Sequence, residues 1–104
     1  MEITLSKYQE YMKLLYESSN DRDLFNKLIE EIGELAVALN RKYGLKKGEF
    51  DKVNLGEELI DIIHFATAIA VVNDIDLQQA LIAKDKEGAE RYNRPTNLEE
   101  YLKK

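Results

Sequence analysis

A nearly unbroken apolar segment is the feature that most constrains the fold of this chain. Between Leu59 and Val72 only Asp61, His64 and Thr67 are not apolar. The apolar residues cover every side of a helical wheel, which predicts a buried helix rather than an amphipathic surface helix. Glu58 precedes this segment and Asp61 lies inside it, so both carboxylates need a protein cation or a bound metal ion as partner. The segment therefore predicts a helical core element that carries a polar site.

A second group of carboxylates lies upstream at the same helical spacing. Glu31 and Glu34 are three residues apart, as are Glu58 and Asp61, and residues three apart share one face of a helix. Two long consecutive helices joined by a short polar loop pack antiparallel. Because Glu31 and Glu34 fall in the middle of one helix and the later pair near the start of the next, we expect the two pairs to face each other.

The composition narrows the kind of site and partner. The chain has 104 residues, no Cys and one His, which excludes thiolate sites and multi-His zinc or di-iron sites. Oxygen ligands alone suit a hard cation such as Mg²⁺ or Mn²⁺. The formal net charge of −5 argues against general binding to nucleic acid or anionic membranes, although cations can bridge an acidic protein to phosphates. No signal segment or membrane-spanning run is evident, so we expect a cytoplasmic protein.

Helical patterns follow one another along the whole chain and predict a single all-α domain over residues 1–104. Capping signals predict helices that start after Ser6, Asn20, Asn54, Asp76 and Thr96, with ends near residues 18, 43, 74 and 92 for the first four. Gly44 is expected to stop the second helix in the left-handed conformation. The predicted core stripe of the second helix comprises Phe25, Leu28, Ile29, Ile32, Leu35, Ala36 and Leu39. We expect an antiparallel helical bundle of four main helices plus a short C-terminal helix.

Oligomerisation is expected to complete this bundle. A third helix that is apolar on all sides needs neighbours on every side, and the other helices of one chain leave little cover. Pairing of two chains would supply the missing neighbours, which predicts a homodimer or homotetramer.

Other interpretations of the polar residues remain open at this point. The glutamates of the second helix could form a solvated face, and Asp61 could pair with Lys27 or Arg41. His64 lies one turn past Asp61 and is favoured as a core or metal-adjacent histidine over a metal ligand. The presence of both acidic pairs on adjacent helices favours the metal site.

The motif Glu30-Glu31-x-x-Glu34, followed by Glu58-x-x-Asp61, resembles the signature of the MazG-like all-α nucleoside triphosphate pyrophosphohydrolases. The similarity extends over about residues 24–92, including the fourth predicted helix. The resemblance implies that the four metal ligands are Glu31, Glu34, Glu58 and Asp61. It also implies that Lys84 and Arg91 bind the phosphate tail, and Glu30 is by its position the candidate general base. Phe65 and the tyrosines are favoured as packing residues, and Tyr92 is the tyrosine to test as a substrate-binding residue that stacks on the base.

The resemblance implies Mg²⁺-dependent hydrolysis of a nucleoside triphosphate to the monophosphate and pyrophosphate, as house-cleaning of the nucleotide pool. Gly88 stands where many relatives carry Asn, and the chain has no Trp, so the base and sugar preference stays open. Two alternatives are a phosphoribosyl-ATP pyrophosphohydrolase and a non-catalytic helical interaction module. The module would be indifferent to Mg²⁺.

Overall fold

The computed structural model describes residues 1–104 and contains five helices and no strand. The helices are α1 (Leu5–Tyr16), α2 (Asp21–Arg41), α3 (Lys52–Val72), α4 (Leu77–Arg91) and α5 (Leu98–Leu102). The predicted all-α fold, with four main helices and a short C-terminal one, is confirmed. The two long helices α2 and α3 pack most extensively against each other, and α1 packs across α3. None of the five helices combines the length and apolar composition needed to cross a bilayer.

Local side-chain chemistry sets the helix ends that the sequence predicted correctly. Asn20 accepts hydrogen bonds from two first-turn amides of α2, and Asp76 accepts one at the start of α4. At the end of α2, Gly44 has a φ of 71° and the amide of Leu45 donates to the carbonyl of Asn40 at 3.0 Å. This bond and the left-handed glycine together form the Schellman stop.

Three of the predicted N-caps are wrong. The observed caps are Thr4, Asp51 and Asn97 rather than Ser6, Asn54 and Thr96. Each observed cap has an extended backbone and a side-chain oxygen that accepts a first-turn amide, at 2.9 to 3.0 Å. The first four predicted helices also ran one or two residues too far at their C-terminal ends. Asn54 is consequently an internal residue of α3.

The core lies where α1, α2 and the second half of α3 meet. Its buried cluster comprises Met12, Leu24, Ala68 and Val71. Thr67 is also buried, and its hydroxyl is satisfied by donating to the carbonyl of Ile63 at 2.7 Å. Thr67 therefore leaves no unsatisfied hydrogen-bonding group in the core.

Much of the predicted core surface remains uncovered in a single chain. Four residues of the predicted α2 stripe are between 41 % and 51 % exposed, namely Phe25, Ile29, Ile32 and Leu39. The first half of α3 behaves in the same way, since Leu59, Ile60 and Ile63 are 47–58 % exposed. The prediction of a wholly buried third helix thus holds only for its second half, because one chain supplies neighbours on too few sides.

Two glutamine side chains join the N-terminal ends of α1 and α4. Oε1 of Gln78 accepts from the amide of Ser6 at 3.3 Å, and Oε1 of Gln9 accepts from the amide of Leu77 at 3.0 Å. Nε2 of Gln9 also donates to the carbonyl of Ile75. First-turn amides have no acceptor within their own helix. Here a glutamine of each helix accepts a hydrogen bond from a first-turn amide of the other helix. This exchange fixes α4 on α1, and α4 otherwise packs mainly on α5.

Candidate active site

Four carboxylates gather between α2 and α3. Glu31 and Glu34 come from α2, Glu58 and Asp61 from α3, and one oxygen of each lies within 4.8 Å of those of the others. The arrangement follows from the three-residue spacing of each pair and from the hairpin that sets the two helices side by side. The structure therefore brings together all four residues that the sequence predicted as metal ligands. We call this group the carboxylate cluster.

The carboxylate cluster contains four acidic groups and no positive charge to balance them. Oε2 of Glu31 and Oε2 of Glu58 are buried and have no hydrogen-bond partner. Loss of hydration, the hydrogen bond that protonated Glu31 can donate to Glu34, and the negative charges of Glu34 and Asp61 raise the pKa of Glu31 to about 7. Loss of hydration and the same two negative charges also raise the pKa of Glu58. A cation placed among these oxygens would relieve the repulsion.

No basic side chain occupies that position. Lys27 pairs with Glu30 at 3.4 Å, and Nε of Arg41 donates to the carbonyl of Lys47 at 2.9 Å. The alternative in which Asp61 pairs with Lys27 or Arg41 is therefore wrong. Unpartnered buried oxygens and a donor set of carboxylates alone fit a hard divalent cation such as Mg²⁺ or Mn²⁺.

Glu30 lies outside the carboxylate cluster. Its side chain is 63 % exposed and its partner Lys27 is 61 % exposed, so this ion pair is held weakly. The solvated-face interpretation thus describes Glu30, whereas the neighbouring Glu31 is half-buried in the carboxylate cluster.

Lys84 and Arg91 share a partner on the surface of α4. Glu87 forms ion pairs with both, at 3.7 Å from Nζ of Lys84 and 3.1 Å from Nη2 of Arg91, which places the two basic side chains on one face of the helix. Tyr92 follows as the C-cap of α4 and is 72 % exposed. Because α4 packs on α1 and α5, a single chain does not bring these residues into the carboxylate cluster.

His64 is occupied by two tyrosines of α1. The hydroxyl of Tyr16 lies 2.7 Å from Nε2, and that of Tyr8 lies 3.4 Å from Nδ1. The rings of Tyr16 and Phe65 meet the imidazole edge to face, with centroids 5.3 and 5.0 Å away. With both nitrogens engaged, His64 joins α1 to α3 as a core histidine and is not free to bind a metal ion.

Asn54 contacts the carboxylate cluster in a way that the sequence reasoning missed. Its Nδ2 donates to Oε1 of Glu58 at 3.4 Å. The sequence predicts Asn54 as a helix cap, but Asp51 caps α3 and leaves the side chain of Asn54 available. The four-residue spacing from Glu58 was the available signal, since residues four apart on a helix are neighbours.

A comparison with protein families links this arrangement to known proteins. The model of the family described as phosphoribosyl-ATP pyrophosphohydrolase matches residues 4–85. The matched part contains the whole carboxylate cluster and Lys84, whereas Arg91 and Tyr92 lie beyond it. No curated protein and no solved structure matches the chain.

Proposed function

Because the chain belongs to the phosphoribosyl-ATP pyrophosphohydrolase family, within the MazG-like all-α nucleotide pyrophosphohydrolases, we propose that it hydrolyses nucleoside triphosphates with Mg²⁺. The resemblance noted from the acidic motif is confirmed by this membership. A pyrophosphohydrolase acts on an acid anhydride, and the proposed products are the nucleoside monophosphate and pyrophosphate. The proposed role of this single domain is house-cleaning of a cytoplasmic nucleotide pool.

The carboxylate cluster is the observation that carries the proposal. Glu31, Glu34, Glu58 and Asp61 would hold Mg²⁺, with Mn²⁺ as a substitute, since their oxygens converge without a basic partner. When bound, the cation supplies charge neutralisation for the transferred phosphoryl group and a fixed position for the attacking water. The four side chains would hold the cation at one place between α2 and α3, and a cation fixed there would help to orient the phosphates.

The neighbouring polar residues take the remaining proposed roles. Glu30 would accept the proton of the attacking water once its exposed bond to Lys27 is released. Lys84 and Arg91 would bind the phosphate tail by exchanging Glu87 for phosphate oxygens, because both pairs lie at the surface. Tyr92 would stack on the base.

A second copy of the chain is part of the proposal. Apolar residues on α2 and α3 are about half exposed, and such a surface is typical of an interface rather than of a free monomer. A homodimer or homotetramer would cover it.

Phosphoribosyl-ATP is the second candidate substrate, and the family match itself favours it. It carries the same triphosphate group, so the carboxylate cluster would act on it in the same way. The two candidates differ at the base, which in phosphoribosyl-ATP carries an additional phosphoribosyl group, and Tyr92 is the proposed contact there.

A product assay tests the proposal. Metal-free protein is incubated with each of the common ribo- and deoxyribonucleoside triphosphates and with phosphoribosyl-ATP, with and without Mg²⁺, and the products are separated by chromatography. We expect pyrophosphate and a monophosphate, formed only with Mg²⁺. Release of orthophosphate and a diphosphate contradicts the proposal, and turnover of phosphoribosyl-ATP alone selects the second candidate. If no substrate is hydrolysed and Mg²⁺ does not bind, the alternative of a non-catalytic helical interaction module is favoured.

A further inference from the structure

The first turn of α3 leaves the side chain of Asn54 free to act on a neighbour. Asp51 caps the helix by accepting the amide of Val53 at 2.9 Å. The side-chain amide of Asn54 instead donates to Glu58, one turn further along α3, at 3.4 Å. Both residues are half-buried, so water competes less for this contact than at the helix surface.

This contact distinguishes the two oxygens of Glu58. Oε1 accepts from Asn54, whereas Oε2 is buried and has no partner. An amide nitrogen carries only donors and cannot itself bind a cation. Asn54 therefore holds one side of the carboxylate and leaves the other side free, in a residue whose oxygen lies within 4.8 Å of those of the other three carboxylates.

We propose that Asn54 is a positioning residue for Glu58, whose carboxylate it holds in the orientation that completes the divalent-cation site. This inference rests on the proposed function, since it requires that the carboxylate cluster binds a divalent cation. Hydrogen bonds that orient a metal ligand typically change metal affinity by about 10- to 100-fold. Asn54 contributes to the reaction only through Glu58 and is not assigned a contact with substrate.

Binding of Mg²⁺ to the metal-free protein, measured by isothermal titration calorimetry, tests this role. Asn54→Leu keeps the approximate size of the side chain and removes the donor. Asn26→Leu makes the same change at an exposed position of α2 and serves as the control. We expect the Kd for Mg²⁺ to rise about 10- to 100-fold in Asn54→Leu and to stay unchanged in the control. Asn54→Gln retains an amide donor and is expected to recover part of the affinity.

The outcomes separate this inference from the proposed function. An unchanged Kd in Asn54→Leu overturns the positioning role, including when the variant melts at a lower temperature, because a purely structural contact would affect melting alone. If Asn54→Leu does not fold, Asn54→Ala removes the same donor and carries the same test. A wild-type protein that binds no Mg²⁺ overturns the proposed function and this inference together. A wild-type protein that binds Mg²⁺, with Asn54 variants that bind it equally well, overturns this inference only.

Discussion

Asp61 sits in the most apolar helix of the chain and has no basic partner. Lys27 and Arg41, the two partners that the sequence allows for it, contact Glu30 and the carbonyl of Lys47 instead. A partly buried carboxylate without a basic partner lowers the stability of the fold. Repulsion adds to this effect at Asp61, because three further carboxylates have oxygens within 4.8 Å of its own. Such a group destabilises the metal-free protein, which makes the effect of substitution informative.

Asp61→Asn is expected to lower the affinity for Mg²⁺ by about 100-fold or more, since losing a ligand exceeds the effect of losing an outer contact. Hydrolysis should fall in parallel. The metal-free variant should melt at the same or a higher temperature, because a like-charge repulsion is removed. Calorimetry and thermal melting measure the two effects, with Asp74→Asn, at an exposed position outside the carboxylate cluster, as control. A loss of about 3–5 kcal/mol of stability would instead indicate a buried ion pair at Asp61.

Glu31 predicts how Mg²⁺ binding depends on pH. Its pKa is raised from 4.5 to about 7 in the folded chain. The folded state therefore holds a proton that the unfolded state loses, so the stability contributed by this group is complete below about pH 4.5 and is lost as the pH rises through about 7. Mg²⁺ needs the ionised form, so its Kd should fall by up to about tenfold per pH unit up to pH 7 and level off above it.

Titrations of Mg²⁺ at several pH values, in buffers of different ionisation enthalpy, measure both this slope and the proton released on binding. Glu31→Gln removes one of the two carboxyl groups whose pKa is raised, so Mg²⁺ should bind more weakly and its Kd should depend less steeply on pH. A Kd that does not vary between about pH 6 and pH 8 in the wild type would contradict the assignment of Glu31 as a ligand.

At the scale of the elements, the sequence predicted what depends on neighbours along the chain. Asn20 and Gly44 are unambiguous signals, and both act as predicted at the ends of α2. The predicted start of α3 is wrong because Asp51 and Asn54 are both good N-cap residues, and sequence spacing does not decide between two caps one turn apart. The convergence of Glu31 with Asp61 was predictable because it needs only helical periodicity and a hairpin.

Contacts between distant residues were beyond the reach of such reasoning. Gln9 meets the amide of Leu77, which is 68 residues away, and nothing local to either residue indicates this pairing. The position of α4 depends on it, and so does the separation of Lys84 and Arg91 from the carboxylate cluster. The ion pairs of Lys84 and Arg91 with Glu87 were predictable from the sequence, since the spacings are three and four residues.

The contact between α1 and α4 predicts a stability effect at Gln9. Gln9→Ala removes an acceptor for the amide of Leu77 and a donor to the carbonyl of Ile75. We expect the free energy of unfolding to fall by about 1–2 kcal/mol, as on removal of other helix-capping side chains. The melting temperature should fall by roughly 4–8 °C for each kcal/mol. Gln79→Ala, on the exposed side of α4, is the control and should be nearly neutral. Equal melting of the two variants would show that the Gln9 contacts add nothing to stability.

For the whole molecule, only 8 of 104 residues are buried, which is a small core for a chain with so many large apolar residues. The apolar arcs of α2 and α3 are wider than the neighbours available in one chain can cover. Association of copies is the direct way to bury this surface, at about 25 cal/mol for each Å² removed from water.

Phe25 is 48 % exposed on α2 and offers a test of this association. If the proposed association occurs, Phe25→Asp should remove about 1.5–3 kcal/mol of apolar burial from each copy and leave the protein monomeric at micromolar concentration. Light scattering coupled to size exclusion measures the mass. Ile3→Asp, at a 75 % exposed position ahead of α1, should leave the mass unchanged. A wild-type protein of monomeric mass would contradict the proposed assembly.

The hydrogen bonds by which Gln9 and Gln78 join α1 to α4 also have a kinetic consequence. Amides in the first turn of a helix normally exchange their hydrogen with solvent quickly, because no carbonyl of the helix protects them. The amides of Ser6 and Leu77 are instead protected by the side chains of Gln78 and Gln9. Their exposure requires α1 and α4 to separate, so one opening event governs two amides at distant points of the sequence. The two amides should therefore show matched protection factors against deuterium exchange, both larger than that of the amide of Asp21, the first-turn amide of α2 that Asn20 does not cap.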